Sequence, residues 1–237
     1  MVHNASVQTL DRVALDDLVR RALAEDLGDA GDITTKRIIR IDQPGKARIV
    51  CKQACTFAGR PVADAVFAAV DKSIAFEWLV GDGDEIDAGA EIARISGRAR
   101  VIFAAERVAL NFLQHLSGVT TLTARFAGIC AKYDVKLLCT RKTLPGLRAL
   151  ERYAVAVGGG DLHRFGLFDA ILIKSNHEKL AGGIGEAVRR TKANPNLVAE
   201  VEVSDMEGLE EAVEAGADRI LLDNADLELI KKAVRRT

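Results

Sequence analysis

Arg141, Lys142, His163, Arg164 and Lys174 gather around a glycine-rich turn. They lie in Thr140-Arg141-Lys142-Thr143, Gly158-Gly159-Gly160-Asp161-Leu162-His163-Arg164 and Ile171-Leu172-Ile173-Lys174-Ser175-Asn176-His177. The whole chain carries 33 Lys and Arg against 34 Asp and Glu, so this positive charge is local and calls for an anion. Arginine suits two-pronged capture of carboxylate or phosphate, and lysine supplies a mobile point charge. A solvated basic loop is the bland rival, weakened because cations recur after later strand-like runs. The glycines allow either close approach to a ligand or tight packing.

Carboxylates follow. In Glu200-Val201-Glu202-Val203 the two acids stand at strand spacing, so both point to one side, inward if the valines face helices. Asp223 ends Ile220-Leu221-Leu222 in the next unit, where Glu202 and Asp223 could hold a magnesium ion or its waters through hard oxygen ligands. A salt-bridge network with the cations is the alternative. Lys174 closes the apolar run Ala170-Ile171-Leu172-Ile173, expected to be a buried strand, so its ammonium needs a counter-ion. It is an anion binder, the amine of a Schiff-base aldolase, or a partner of Glu200, Glu202 or Asp223.

The elements that position these residues read as α/β. Leu15, Leu18, Val19, Ala22 and Leu23 predict an opening helix over 15–26, with Asp16 and Asp17 near its start. From Lys46 to Gly97, short apolar runs between turn residues predict a small sheet, with tight turns rather than a calcium loop at Gly81 to Gly89. Ala105, Val108, Ala109, Phe112, Leu113 and Leu116 predict a helix over 102–117 that bridges two domains. Downstream, strands at 135–139, 170–174, 198–203 and 219–222 alternate with helices at 147–157, 184–192, 206–215 and 227–235. That alternation predicts a parallel sheet, with chemistry at the carboxyl ends of its strands.

Composition narrows the classes. Hydrophobic residues make up 49% of 237, ample for one large or two modest cores. Near-zero net charge gives no bulk attraction to nucleic acid or anionic membrane. No apolar run approaches a membrane span, and Met1-Val2-His3-Asn4 does not open a leader, which predicts the cytoplasm. Cys51, Cys55, Cys130 and Cys139 read as reduced structural thiols, with Cys51 and Cys55 a weak zinc signal.

At these same residues the chain resembles the quinolinate phosphoribosyltransferase family. The resemblance runs from Leu15 to Arg235 through Asp29-Ala30-Gly31-Asp32-Ile33-Thr34-Thr35, Glu106-Arg107-Val108-Ala109-Leu110-Asn111, Thr140-Arg141-Lys142-Thr143-Leu144-Pro145-Gly146, the glycine-rich His163-Arg164 segment, Lys174-Ser175-Asn176-His177, Glu200 to Val203 and Leu221 to Asn224. It implies an N-terminal α/β sandwich domain over 1–105 and an incomplete α/β barrel of parallel strands over 106–237, in a homodimer with sites at the subunit interface. It implies quinolinate and 5-phosphoribosyl 1-pyrophosphate as substrates and nicotinate mononucleotide, pyrophosphate and carbon dioxide as products. Arg107 would reach into the partner's site. Arg141, His163 and Arg164, with Thr140 in the same binding set, would join Lys174 around the quinolinate carboxylates. Lys142 would lie near pyrophosphate, and Glu202 and Asp223 would serve the ribose hydroxyls and Mg2+.

Departures accompany the match. Cys139 stands where the family commonly has an acid, and Leu162 where many members have Asn. Family members also continue beyond the helix at 227–235 into further strand and helix units with phosphate-holding loops. The expectation is a retained pocket with impaired transfer. A molybdenum-transport-associated relative, a non-catalytic binding module and the aldolase are the other classes in view.

Overall fold

The computed structural model describes residues 10–192 and 197–237. The opening Met1-Val2-His3-Asn4, on which the expectation of no leader rests, lies outside the described residues. Two compact units divide the chain, Met1–His163 and Arg164–Thr237. A division at 105/106 would instead cut one continuous helix.

The first unit opens with α1 (Arg12–Leu27), which buries Leu15, Val19 and Leu23 on one stripe. Its cap is Asp11, whose carboxylate accepts the Ala14 N–H at 3.0 Å; Asp16 and Asp17 stand one turn further in than the first turn. Asp32 caps α2 (Ile33–Ile38) in the same way through Thr35 N–H at 2.8 Å. The predicted small sheet is present. β1 (Pro44–Val50) and β3 (Ala75–Trp78) both pair antiparallel with β5 (Glu91–Arg98), while β2 (Cys55–Thr56) pairs with β4 (Glu85–Ile86).

That region also holds a helix the sequence reading passed over, α3 (Arg60–Val70), which starts at a Pro61 turn and buries Val62, Ala63, Val66 and Phe67. Asp82, in the turn between strands, accepts the N–H groups of Gly59 and Arg60 at 3.1 Å each and so caps α3 from a distance.

The predicted helix over 102–117 is far longer. α4 (Ala99–Cys130) continues through Ser117-Gly118-Val119-Thr120-Thr121, residues that locally favour other conformations. Their hydroxyls find partners elsewhere. Ser117 Oγ accepts Ala58 N–H at 3.1 Å, Thr121 Oγ1 accepts Thr56 N–H at 2.9 Å, and Thr120 Oγ1 donates to Ala154 O at 3.0 Å. Leu116, fully buried beside them, contributes about 2–3 kcal/mol by leaving water.

A short 3-10 turn at Ala131–Tyr133 ends α4. The strand expected over 135–139 is reduced to a single parallel bridge, Leu138 with Asp161. α5 (Arg148–Val157) then packs on α4. A Cβ on Gly158 would come within 2.7 Å of Thr120 O and 2.8 Å of Thr123 Cβ, and one on Gly160 within 2.6 Å of Val155 Cγ1. Gly158 and Gly160 are required by close packing, and Gly159 by its positive φ of 84°.

The second unit contains β6 (Ile171–Ile173), α6 (Ser175–Ala181), α7 (Ile184–Thr191), β7 (Ala199–Val203), α8 (Met206–Glu214), β8 (Arg219–Leu222) and α9 (Leu227–Arg236). Its three strands form a parallel sheet in the order β6-β7-β8, as the alternation predicted. Val201 and Val203 pack with Val188, Leu209, Ala212 and Ala233 from the helices. Glu200 and Glu202 therefore share the opposite face.

Candidate active site

In the first unit, residues 137–139 and 161–163 run side by side. Cys139 N–H donates to Asp161 O at 2.9 Å and Asp161 N–H to Leu137 O at 2.8 Å. This places Thr140, Arg141 and Lys142 directly after a strand-like segment, as expected. Leu144-Pro145-Gly146-Leu147 turns the chain back, with Leu147 N–H on Leu144 O at 3.1 Å and Gly146 at φ 80°, the pattern of a type II turn. Glu151 braces it. One carboxylate oxygen accepts Leu144 N–H at 3.3 Å and the other meets His115 Nε2 at 2.9 Å.

Thr140 Oγ1 accepts Lys142 N–H at 3.1 Å, and Lys142 itself is exposed. Arg141 is half-buried, and its Nε is buried with no hydrogen-bond partner among the described residues. A guanidinium N–H taken from water and left open costs free energy unless an acceptor arrives. Arg107 stands exposed on α4.

In the second unit, Arg164 donates Nη1 to Ala170 O at 3.2 Å. Lys174 follows β6, as expected, but its side chain is 49% exposed rather than buried. Its Nζ meets Glu202 Oε2 at 2.8 Å, one of the pairings foreseen. Lys174 N–H donates to His177 Nδ1 at 2.9 Å, which orients that ring at the start of α6. Asp223 follows β8 with its N–H on Val203 O at 2.9 Å, and Asn224 Nδ2 donates to its carboxylate at 3.1 Å.

A cleft of ≈ 290 Å³ lies at these strand ends, lined by Ser175, Glu178, Glu202, Asp205, Glu211 and Asp223 among others. Glu178 Oε1 is buried without a hydrogen-bond partner among the described residues. Burial pushes its carboxyl above the ordinary range, and the charges of Glu202, Glu211 and Asp205 push it further.

The donor chemistry can be tested against magnesium. Glu202 and Asp223 offer hard oxygens to one cleft, but no group of three or more His, Cys, Asp or Glu side chains suited to hold an ion occurs among the described residues. Mg2+ is commonly bound through one or two carboxylates together with waters and substrate phosphates. Cys51 and Cys55 have free thiols with Sγ atoms 3.8 Å apart.

Sequence reasoning missed Glu178 and Arg152 at the site and, next to Arg152 on α5, Tyr153. Glu178 sits one turn beyond Lys174 in a helix, α6, that was not foreseen. Arg152, only 5% exposed, donates Nη1 to His163 O at 2.8 Å and to Cys139 Sγ at 3.1 Å. Tyr153 donates its hydroxyl to Asp82, and burial, then that hydrogen bond, push its phenol far above the ordinary value. The signal that could have pointed to Arg152 is a charge among the apolar residues of 150–157.

Comparison with known proteins places these features in context. Residues 32–117 match the family model for the quinolinate phosphoribosyl transferase N-terminal domain, and residues 119–237 that for the C-terminal domain. A Nicotiana glauca protein named quinolinate phosphoribosyltransferase (decarboxylating) 2, mitochondrial, is 38% identical over 93% of this chain and 68% of its own length. A probable nicotinate-nucleotide pyrophosphorylase (carboxylating) of a Synechocystis species is 37% identical over 94% of this chain and 76% of its own. The solved nicotinate-nucleotide pyrophosphorylase of Francisella tularensis superposes with a TM-score of 0.92 at 40% identity, covering 98% of this chain and 82% of that one.

Proposed function

The chain belongs to the quinolinate phosphoribosyltransferase family, and from that premise we propose that it transfers the phosphoribosyl group of 5-phosphoribosyl 1-pyrophosphate to quinolinate. The pyridine nitrogen attacks the anomeric carbon while the bond from that carbon to pyrophosphate oxygen breaks, its electron pair leaving with pyrophosphate. The positively charged ring then draws in the electrons of its bond to the 2-carboxylate. Carbon dioxide departs, one proton adds at the vacated carbon, and nicotinate mononucleotide results.

The observation that carries this reading is the buried Nε of Arg141, which has no hydrogen-bond partner among the described residues and can donate to an anionic acceptor. Arg141, His163, Arg164 and Lys174 take the quinolinate carboxylates, with Thr140 alongside, and Lys142 takes pyrophosphate. Glu202 and Asp223 serve the ribose hydroxyls and would hold Mg2+, which when bound neutralises the departing pyrophosphate. Catalysis is then positioning and charge stabilisation. An aldolase is not favoured, because Lys174 is tied to Glu202 in an ion pair rather than set as a free amine in an apolar pocket.

Arg107, exposed on its helix, completes the site of a second copy in a homodimer. The cytoplasm is the proposed compartment, in keeping with four free cysteines. Among the described residues no helix is long and apolar enough to cross a membrane. The test pairs calorimetric titration of quinolinate with a product assay in the presence of 5-phosphoribosyl 1-pyrophosphate and magnesium. Binding with formation of nicotinate mononucleotide is expected; the absence of quinolinate binding at millimolar concentrations would overturn the reading.

A further inference from the structure

We propose that Arg152 and Cys139 form a brace that positions Thr140, Arg141 and His163 for the carboxylate-bearing substrate; the inference rests on the function proposed above. Arg152 is a fully charged side chain held 95% out of water in α5, a costly placement unless it is well paired. Its Nη1 reaches both segments of the candidate anion site. It donates to Cys139 Sγ at 3.1 Å, on the residue before Thr140 and Arg141, and to His163 O at 2.8 Å.

The sulfur is shared. The His163 N–H also donates to Cys139 Sγ at 3.2 Å. These contacts extend the parallel pairing that Leu137, Cys139 and Asp161 begin through their backbones. Backbone pairing fixes the segments up to 139 and 161, and the side-chain brace carries that register two residues further, to the imidazole-bearing position. Arg152 touches no reacting atom in this scheme and acts through its neighbours.

Cys139 stands where the family resemblance puts an acid. A carboxylate there would accept from a guanidinium and a backbone N–H at once, and the sulfur accepts from the same two donors. The position therefore requires an acceptor and not an apolar filler. An acceptor facing a buried cation keeps the loop that bears Arg141 from drifting, and a displaced guanidinium loses its two-pronged hold on a carboxylate.

The test uses Cys139→Ala, Cys139→Asp and Arg152→Met in the full chain, with quinolinate titrated by calorimetry, steady-state rates measured where turnover is present, and thermal unfolding recorded for each. Removing the acceptor in Cys139→Ala is expected to weaken quinolinate binding about tenfold, with kcat held within about twofold. Cys139→Asp is expected to return binding to within about threefold of the parent. Arg152→Met should match Cys139→Ala; should it fail to fold, the two Cys139 variants, which keep the cation, carry the comparison.

If the parent chain binds no quinolinate, the proposed function fails and this inference with it. If the parent binds and Cys139→Ala binds within twofold of it, or Cys139→Asp binds no better than Cys139→Ala, the brace alone is overturned.

Discussion

The contact between α4 and α5 and the carboxyl edge of the β6-β7-β8 sheet treat their polar groups in opposite ways. Between the helices, Thr120 is fully buried and spends its hydroxyl on Ala154 O, and Gly158 lets the backbones close until no space remains. At the sheet edge, Lys174 stands half exposed and Glu178 Oε1 is buried with no partner among the described residues. One region is complete as folded. The other keeps a half-exposed ion pair and an open, buried carboxyl oxygen at a cleft, an arrangement common where a ligand binds.

If that contrast is right, changes at the open edge should cost binding, and changes at the closed contact should cost stability. Lys174→Ala is expected to weaken quinolinate binding by about 100-fold, while stability moves by less than about 1 kcal/mol because the ion pair is half exposed. Calorimetry and urea unfolding on one preparation would separate the two effects. Gly158→Ala should do the reverse. Its new Cβ has no room against Thr120 and Thr123, so urea unfolding is expected to show a loss of about 2 kcal/mol in unfolding free energy, with binding altered only as far as folding is.

Tyr153→Phe is milder, about 1 kcal/mol, since Asp82 keeps the Gly59 and Arg60 N–H groups when the phenol is lost. The smallest effect belongs to Glu178. Its carboxyl binds a proton more tightly folded than unfolded, so its contribution is fully favourable below about pH 4.5, its ordinary value, and is lost as pH rises through the raised folded value. Glu178→Gln should therefore match the parent near pH 4 and melt about 1–2 °C higher near pH 8. An equal melting difference at both pH values would show that the carboxyl is not held uncomfortably in the cleft.

Much of this contrast was legible in the amino-acid order, and unevenly so. The alternation of Glu200, Val201, Glu202 and Val203 told which side chains share a face, because a strand has a period of two whatever surrounds it. The helix near 147–157 and the strand at Arg219–Leu222 carried similarly local signals. The cations of 140–174 stood out in the sequence, and Lys174 and Asp223 directly follow β6 and β8, as expected, with Glu202 near the end of β7.

Other features depended on partners distant in sequence. α4 continues past Ser117 because Ala58, Thr56 and Ala154 absorb the hydroxyls of Ser117, Thr121 and Thr120, a rescue no window of α4 displays. α3 was hidden because Val62 to Phe67 fits a buried strand as well as a helix, and its cap lies at Asp82. The expected strand over 135–139 shrank to one bridge, although its polar successors kept their place. Cys139 looked like a loss of support for the site until its sulfur was seen to accept from Arg152 and His163.

The most direct measurement follows the 2-carboxylate itself. Quinolinate labelled at that carbon, incubated with the purified chain, 5-phosphoribosyl 1-pyrophosphate and magnesium, is predicted to release one labelled carbon dioxide for each nicotinate mononucleotide formed, with both signals lost in Lys174→Ala. Release that proceeds without the sugar pyrophosphate, or product formation that survives Lys174→Ala undiminished, would contradict the account.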